Sequence, residues 1–142
     1  MVHALQEVHR VLVPDGYMID LRPVGIEYAL EVVAGEQVIS VGNADAAGRA
    51  ARDQAANQAV EQIQTMGLFI QEAHTPFSLY TYFPSPIDYS EHLLERGGST
   101  QIDDDTLANA VREFEKAGTN AQFRARHSMI ISRYCKQDVP SY

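Results

Sequence analysis

The run Ala4-Leu5-Gln6-Glu7-Val8-His9-Arg10-Val11-Leu12-Val13-Pro14-Asp15-Gly16-Tyr17-Met18-Ile19-Asp20 decides how the rest of the chain is read. Val2, Leu5, Val8, Val11 and Leu12 recur at helical spacing with Gln6, Glu7, His9 and Arg10 between them, which predicts an amphipathic helix over 2–12. Pro14-Asp15-Gly16 stops it, because proline cannot continue the hydrogen-bond ladder and Asp-Gly favours a turn with positive φ at the glycine. Tyr17-Met18-Ile19-Asp20-Leu21 follows as a short, mostly apolar run of the kind buried on both faces of a sheet. The chain is therefore expected to start as helix, tight turn and buried strand.

Beyond Arg22-Pro23-Val24-Gly25, which reads as a loop, two strand-like runs, Glu27 to Val33 and Gln37 to Val41, flank an Ala34-Gly35-Glu36 turn and predict a hairpin. From Asn43 or Asp45 to Met66 the composition turns to Ala, Gln, Asn and Arg without proline, which predicts the longest helix, capped by Gly67. Its inward stripe reads Ala47, Ala51, Ala55 and Ala59, then Ile63 and Met66. Leu68 to Phe83 is rich in aromatic and β-branched residues, and Pro76 marks a bend or an edge position. Past it, Phe77, Leu79, Thr81 and Phe83 alternate with Ser78, Tyr80 and Tyr82, as in a half-buried strand. A short helix over 87–95 and a helix over 106–117, capped by Asp103-Asp104-Asp105, lead to a last long strand over 123–135 and a polar tail.

With 142 residues and 45% apolar content, the chain suits one domain, 1–142, with a real core. Nineteen acids against eleven Lys and Arg give a net charge of −8, a field that repels phosphate and argues against nucleic acid or an anionic membrane as partner. The densest basic group, Arg124, Arg126, His127 and Arg133, lies on a strand-like run. The single Cys135 has no disulfide partner within the chain and no Cys/His cluster around it for zinc. Neither a stretch of about 20 apolar residues nor a signal-peptide core occurs, so a cytoplasmic protein is expected.

Residues 4–20 resemble the segment A-L-x-E-x-x-R-V-L-x-P-G-G of class I S-adenosylmethionine-dependent methyltransferases, departing from it at Asp15, where glycine is usual. The resemblance covers about one seventh of the chain. It implies that this segment is the helix before the fifth strand, the turn, and the fifth strand itself, and that the family's variable helical region and closing pair of antiparallel strands follow. The elements that hold the cofactor in that family, a glycine-rich turn after the first strand and an acid at the end of the second, lie upstream of the matched segment. The nearest run here, Gly42-Asn43-Ala44-Asp45-Ala46-Ala47-Gly48, has the wrong spacing and reads as a helix-entry loop. The resemblance thus implies descent from a methyltransferase and does not imply activity. A former central strand, Tyr17 to Leu21, has lost neighbours, and a bare apolar edge invites aggregation. It is expected to be covered, by the hairpin or by a second copy of the chain.

Asp20-Leu21-Arg22-Pro23 leaves the strand at its carboxyl end, where open α/β sheets place ligands. Arg22 is therefore a candidate ligand residue, weighed against a plain ion pair with Asp20. Tyr80, Tyr82, Arg126 and His127, with Tyr134, are candidates to line a pocket on one sheet face, weighed against tyrosines that pack on the alanine-rich helix with their hydroxyls at the solvent edge. His3 and His9 are six apart and share no helix face, so no metal site is expected. No catalytic residue is assigned.

The combined expectation is an α+β fold, a mixed, largely antiparallel sheet of about five strands with three or four flanking helices, on a truncated methyltransferase-like topology. The leading function is a methyltransferase-related domain or remnant without independent catalytic activity, acting in assembly as a homo-oligomer, most simply a dimer. Two readings stand beside it. In one, the chain is part of a methyltransferase whose cofactor-binding half comes from another chain or from upstream sequence, so that S-adenosylmethionine binds only when that half is supplied. In the other, it is a module for a small-molecule ligand.

Overall fold

The computed structural model describes residues 1–138; the tail beyond them lies outside the described residues. The opening helix, α1, spans Val2–Val11 and ends in extended backbone at Leu12. In the turn that follows, the positive φ falls on Asp15 (57°) rather than on Gly16. Asp15 thus adopts the left-handed conformation at the position where the resembled segment carries glycine. A left-handed non-glycine residue stores strain. Asp15→Gly is therefore expected to stabilise the chain by about 0.5–1 kcal/mol, read as a rise in the denaturant midpoint.

Five strands and three further helices follow in the order β1 (Tyr17–Pro23), β2 (Glu27–Ala34), β3 (Gln37–Asp45), α2 (Ala50–Thr65), β4 (Phe69–Phe83), α3 (Pro86–Glu95), α4 (Asp104–Ala117) and β5 (Gln122–Lys136). The result is an α+β fold with a five-stranded sheet, and its β1–β5, β2–β3 and β2–β5 pairings are all antiparallel. β1 pairs the carboxyl-terminal half of β5, β2 pairs its amino-terminal half, and β4 also pairs β5. The hairpin expected from the Ala34-Gly35-Glu36 turn is β2–β3, with a bulge at Leu30/Glu31. Helix α3 starts at Pro86 with the Ser85 hydroxyl accepting from the Asp88 amide, and α4 starts with the Asp103 carboxylate accepting from the Thr106 amide. Both caps satisfy backbone donors that the first helical turn leaves free.

The chain divides into two compact units, to which β4 and β5 each contribute a segment. The first unit holds residues 1–23, 51–77 and the chain from 129 onward. Its core is Val60, Ile63, Phe69 and Tyr134, against which Val2, Leu5 and Val8 of α1, Leu12 just after it, Met18 of β1 and Leu68 pack. The expected alanine stripe of α2 is corrected here. Ala51 and Ala55 are exposed, and the buried positions are Ala59, Val60 and Ile63 in the second half of the helix. Ala47 falls outside α2, in a single 3-10 turn over Ala47–Arg49.

The second unit holds residues 24–50 and 78–128. Tyr28, Leu30 and Val32 of β2 face Phe123 and Ala125 of β5 in a core that also takes Val41, Ala44, Tyr89 and Ala110. The Tyr89 hydroxyl is buried with no hydrogen-bond partner among the described residues, and burial pushes its pKa up to about 12. An unmet hydroxyl costs free energy that phenylalanine avoids. Tyr89→Phe is expected to be neutral or to stabilise by up to about 1 kcal/mol, checked by chemical denaturation.

Two strand readings change. β1 is not buried on both faces. It pairs β5 alone and stands at the edge of the sheet, with Tyr17 52%, Ile19 56% and Leu21 55% exposed. The hairpin does not cover it, because β2 takes the other half of β5 instead. β4, expected to be half-buried past Pro76, is exposed from Ile70 to Tyr82 and meets the interior only at Phe69 and, partly, Phe83. Apolar alternation marks which residues share a face; whether anything lies over that face is decided elsewhere in the chain.

Candidate functional site

Polar side chains gather in three places, and the alternation of strands decides which residues meet. On β5, Arg124 and Arg126 are two apart and share a face, whereas His127 points the other way. Arg124 Nε donates to Glu31 Oε2 at 2.7 Å and Arg126 Nε to Glu31 Oε1 at 2.9 Å. One carboxylate of β2 thus holds two guanidiniums of β5, one on each oxygen. Burial alone would raise the Glu31 pKa, but the hydrogen bonds and charges of Arg124 and Arg126 outweigh it and hold the carboxyl below its usual range. Arg124 lies over the Tyr80 ring, 4.2 Å from its centroid, and donates to the Tyr82 hydroxyl at 3.1 Å. Glu31 itself is only 7% exposed.

The sequence-derived set of Tyr80, Tyr82, Arg126 and His127 is therefore split. Tyr80, Tyr82 and Arg126 belong to the cluster around Glu31 and Arg124. His127 belongs to the opposite face, where its ring tilts against Tyr28 at 4.1 Å and its Nε2 shares a 3.4 Å hydrogen bond with Thr81. Burial, and then the nearby charge of Arg49, lower the His127 pKa, so the ring is neutral at pH 7. Consecutive strand residues cannot line one face, and that rule alone separates Arg126 from His127. Tyr80 and Tyr82 pack with arginine and not on the long helix; Tyr134, in the other unit, does share a core with Val60 and Ile63 of the long helix α2 and donates to Gln71 Oε1 at 3.0 Å. Glu31 went unread as a site residue. Its signal is an acid between Leu30 and Val32, opposite arginines at alternate positions.

In the first unit, Arg22 forms an ion pair with Asp20 at 2.8 Å and donates from Nη1 to Asn57 Oδ1 of α2. Asp20 stands opposite Ser132 in the β1–β5 register, and Ser132 Oγ shares a 2.9 Å hydrogen bond with His74 Nδ1. With Ser132 1% exposed, its hydroxyl is out of reach of a substrate. The pair satisfies a buried polar group and does not make a nucleophile. Burial, aided by the carboxylates of Glu72 and Asp15, raises the Cys135 pKa, which disfavours a reactive thiolate. Among the described residues no group of three or more His, Cys, Asp and Glu side chains is placed to hold a metal ion, and no helix is long and apolar enough to cross a membrane.

The glycines nearest to a cofactor turn serve packing. A Cβ on Gly42 would stand 2.7 Å from the Thr106 side chain of α4, and one on Gly48 would stand 2.8 Å from the Ser99 carbonyl oxygen. Both lie against protein, so this run does not fit the close backbone approach to a ligand that S-adenosylmethionine requires. Gly42 also lies inside β3 and not in a helix-entry loop. No family model, curated protein or solved structure matches the chain.

Proposed function

We propose that the chain is a methyltransferase-related assembly domain without catalytic activity of its own, and that the edge and open face of β1 form its working surface. The observation that carries this reading is the exposure of Tyr17, Ile19 and Leu21 on one face of an edge strand. In the β1–β5 register Ile19 stands opposite Arg133 and Leu21 opposite Ile131, which extends the patch onto β5. Arg133 lies over the Tyr17 ring and pairs with Glu72, so the charge at its rim is already matched. An apolar strand edge of this kind is a template for another strand. The succession of α1, turn and β1, with β1 antiparallel to β5 and β5 paired with β4, is consistent with the fifth strand and closing strand pair that the resemblance implies.

A second copy of the chain suits this edge. An antiparallel pairing about a two-fold axis at Ile19 would set Ile19 against Ile19 and Tyr17 against Leu21, apolar on apolar throughout. β4 suits it less well, since Pro76 removes a donor from its middle. Sedimentation equilibrium tests the reading. The protein is expected to form dimers at micromolar concentration, and Ile19→Lys is expected to weaken association by at least about tenfold, because it places a charge in the centre of the patch. A monomeric wild type, or an unaffected variant, would contradict it. A further reading, favoured by the same strand pattern, completes β1 with a cofactor-binding half carried on other sequence. Sedimentation separates the two, since an edge that awaits a cofactor-binding half is expected to leave the chain alone monomeric; under both readings the chain alone is expected to bind no S-adenosylmethionine.

A further inference from the structure

We infer that the cluster of Glu31, Arg124, Arg126 and Tyr82 in the second unit is an anion site that takes a small aromatic carboxylate. Glu31 receives only the two Nε–H groups. Both terminal amino groups of Arg126 therefore remain available, and its side chain is 40% exposed. Arg124 keeps one terminal amino group beyond the Nη1 donated to Tyr82. Tyr82 accepts that hydrogen bond with its oxygen and keeps its own proton to donate. Every donor left over on this face is positive or protic, and the shared carboxylate that would compete for them is already engaged.

Charge selects the class of anion. Two guanidiniums against one carboxylate leave a residue of one positive charge, which a monoanion neutralises and a phosphate dianion overloads. The net charge of −8 on the whole chain adds a penalty for each further negative charge. A carboxylate also matches the planar fork of a guanidinium with two parallel hydrogen bonds. Glu31 fixes the orientation of both arginines beforehand, and Arg124 is held further by its stacking on Tyr80, so little side-chain freedom is lost on binding. The aromatic part of the ligand follows from the neighbours. Tyr80 and Tyr82 are 42% and 51% exposed, and they present ring surface beside the arginines for offset stacking.

An NMR titration of the 15N-labelled chain with benzoate tests this, with acetate and inorganic phosphate in parallel. Benzoate is expected to saturate at a Kd of about 0.1–1 mM and to shift the amides of Glu31, Arg124, Arg126 and Tyr82. Acetate should bind about tenfold more weakly for want of a ring, and phosphate should not saturate. Arg126→Gln should weaken benzoate by about tenfold or more. Arg126→Lys, which keeps the charge and can keep the link to Glu31, should weaken it several-fold through loss of the fork. Benzoate shifts absent or centred elsewhere, acetate or phosphate binding as tightly as benzoate, or an Arg126→Gln variant with unchanged affinity would each overturn the assignment. The wild-type titration decides the location of the site even if a variant fails to fold.

Discussion

Phe123→Ala is expected to cost about 3–5 kcal/mol of stability, the largest loss from any single side chain considered in the second unit. Phe123 is fully buried and belongs to the core in which Leu30, Val32 and Ala125 stand, and its ring lies 5.7 Å from that of Tyr89. Truncation removes the transfer free energy of the ring and leaves a cavity between β2, β5 and α3. Neighbours on two paired strands have little room to collapse into it, because their positions are fixed by the ladder. Urea denaturation followed by circular dichroism reads the loss directly. A decrease under about 1 kcal/mol would mean that this core is loosely packed.

Glu31→Ala is the second. It is expected to destabilise by about 2–3 kcal/mol at pH 7, because two guanidiniums lose their common acceptor. The cost stays below that of a wholly buried triad, since the Arg126 side chain is 40% exposed and regains water. The pH dependence has a definite sign. Glu31 has a folded-state pKa below its ordinary value of 4.5, so its contribution is fully present above pH ~4.5 and is lost as pH falls through the folded value. The stability of wild type and Glu31→Gln should therefore differ at pH 7 and converge in acid below pH ~4.5. A gap that stayed constant down to the acid transition would show that the carboxylate charge contributes nothing.

Local chemistry made much of the fold legible. The period of Val2, Leu5, Val8 and Leu12, the Pro14-Asp15-Gly16 break and the alternation in the later strands placed most elements to within a few residues, since propensity, capping and turn chemistry act over a few positions; the long helix, expected from Asn43 or Asp45, starts only at Ala50, because β3 runs on to Asp45. Burial was less legible. The mostly apolar run of β1 suggested cover on both faces, yet cover depends on which distant segments pair with it, and β5 leaves one edge free. The α2 stripe failed for the same reason: alanine at helical spacing identifies a face, but only Ala59, Val60 and Ile63 in the second half are buried, and Val60 and Ile63 share a core with α1, β1 and Phe69.

The polar clusters were legible in their parts and not in their grouping. Tyr80, Tyr82 and Arg126 were marked from their types, while Glu31, which organises them, was hidden in a hydrophobic strand. His127 was grouped with Arg126 by nearness in sequence, although a strand sends such neighbours to opposite faces. The ion pair of Arg22 with Asp20 was one of the two readings weighed for it, and its second partner, Asn57, lay too far along the chain to be read.

The claim on which the proposed function rests is that β1 is an assembling edge. Hydrogen–deuterium exchange of the Tyr17 to Arg22 amides, followed across a hundredfold range of protein concentration, tests it most directly. Amides of β1 that do not bond to β5 are expected to become protected as concentration rises, with the exposed amides of β4 unchanged. Equal exchange of β1 at all concentrations, with β4 alone becoming protected, would contradict the account and place the interface on the other exposed strand.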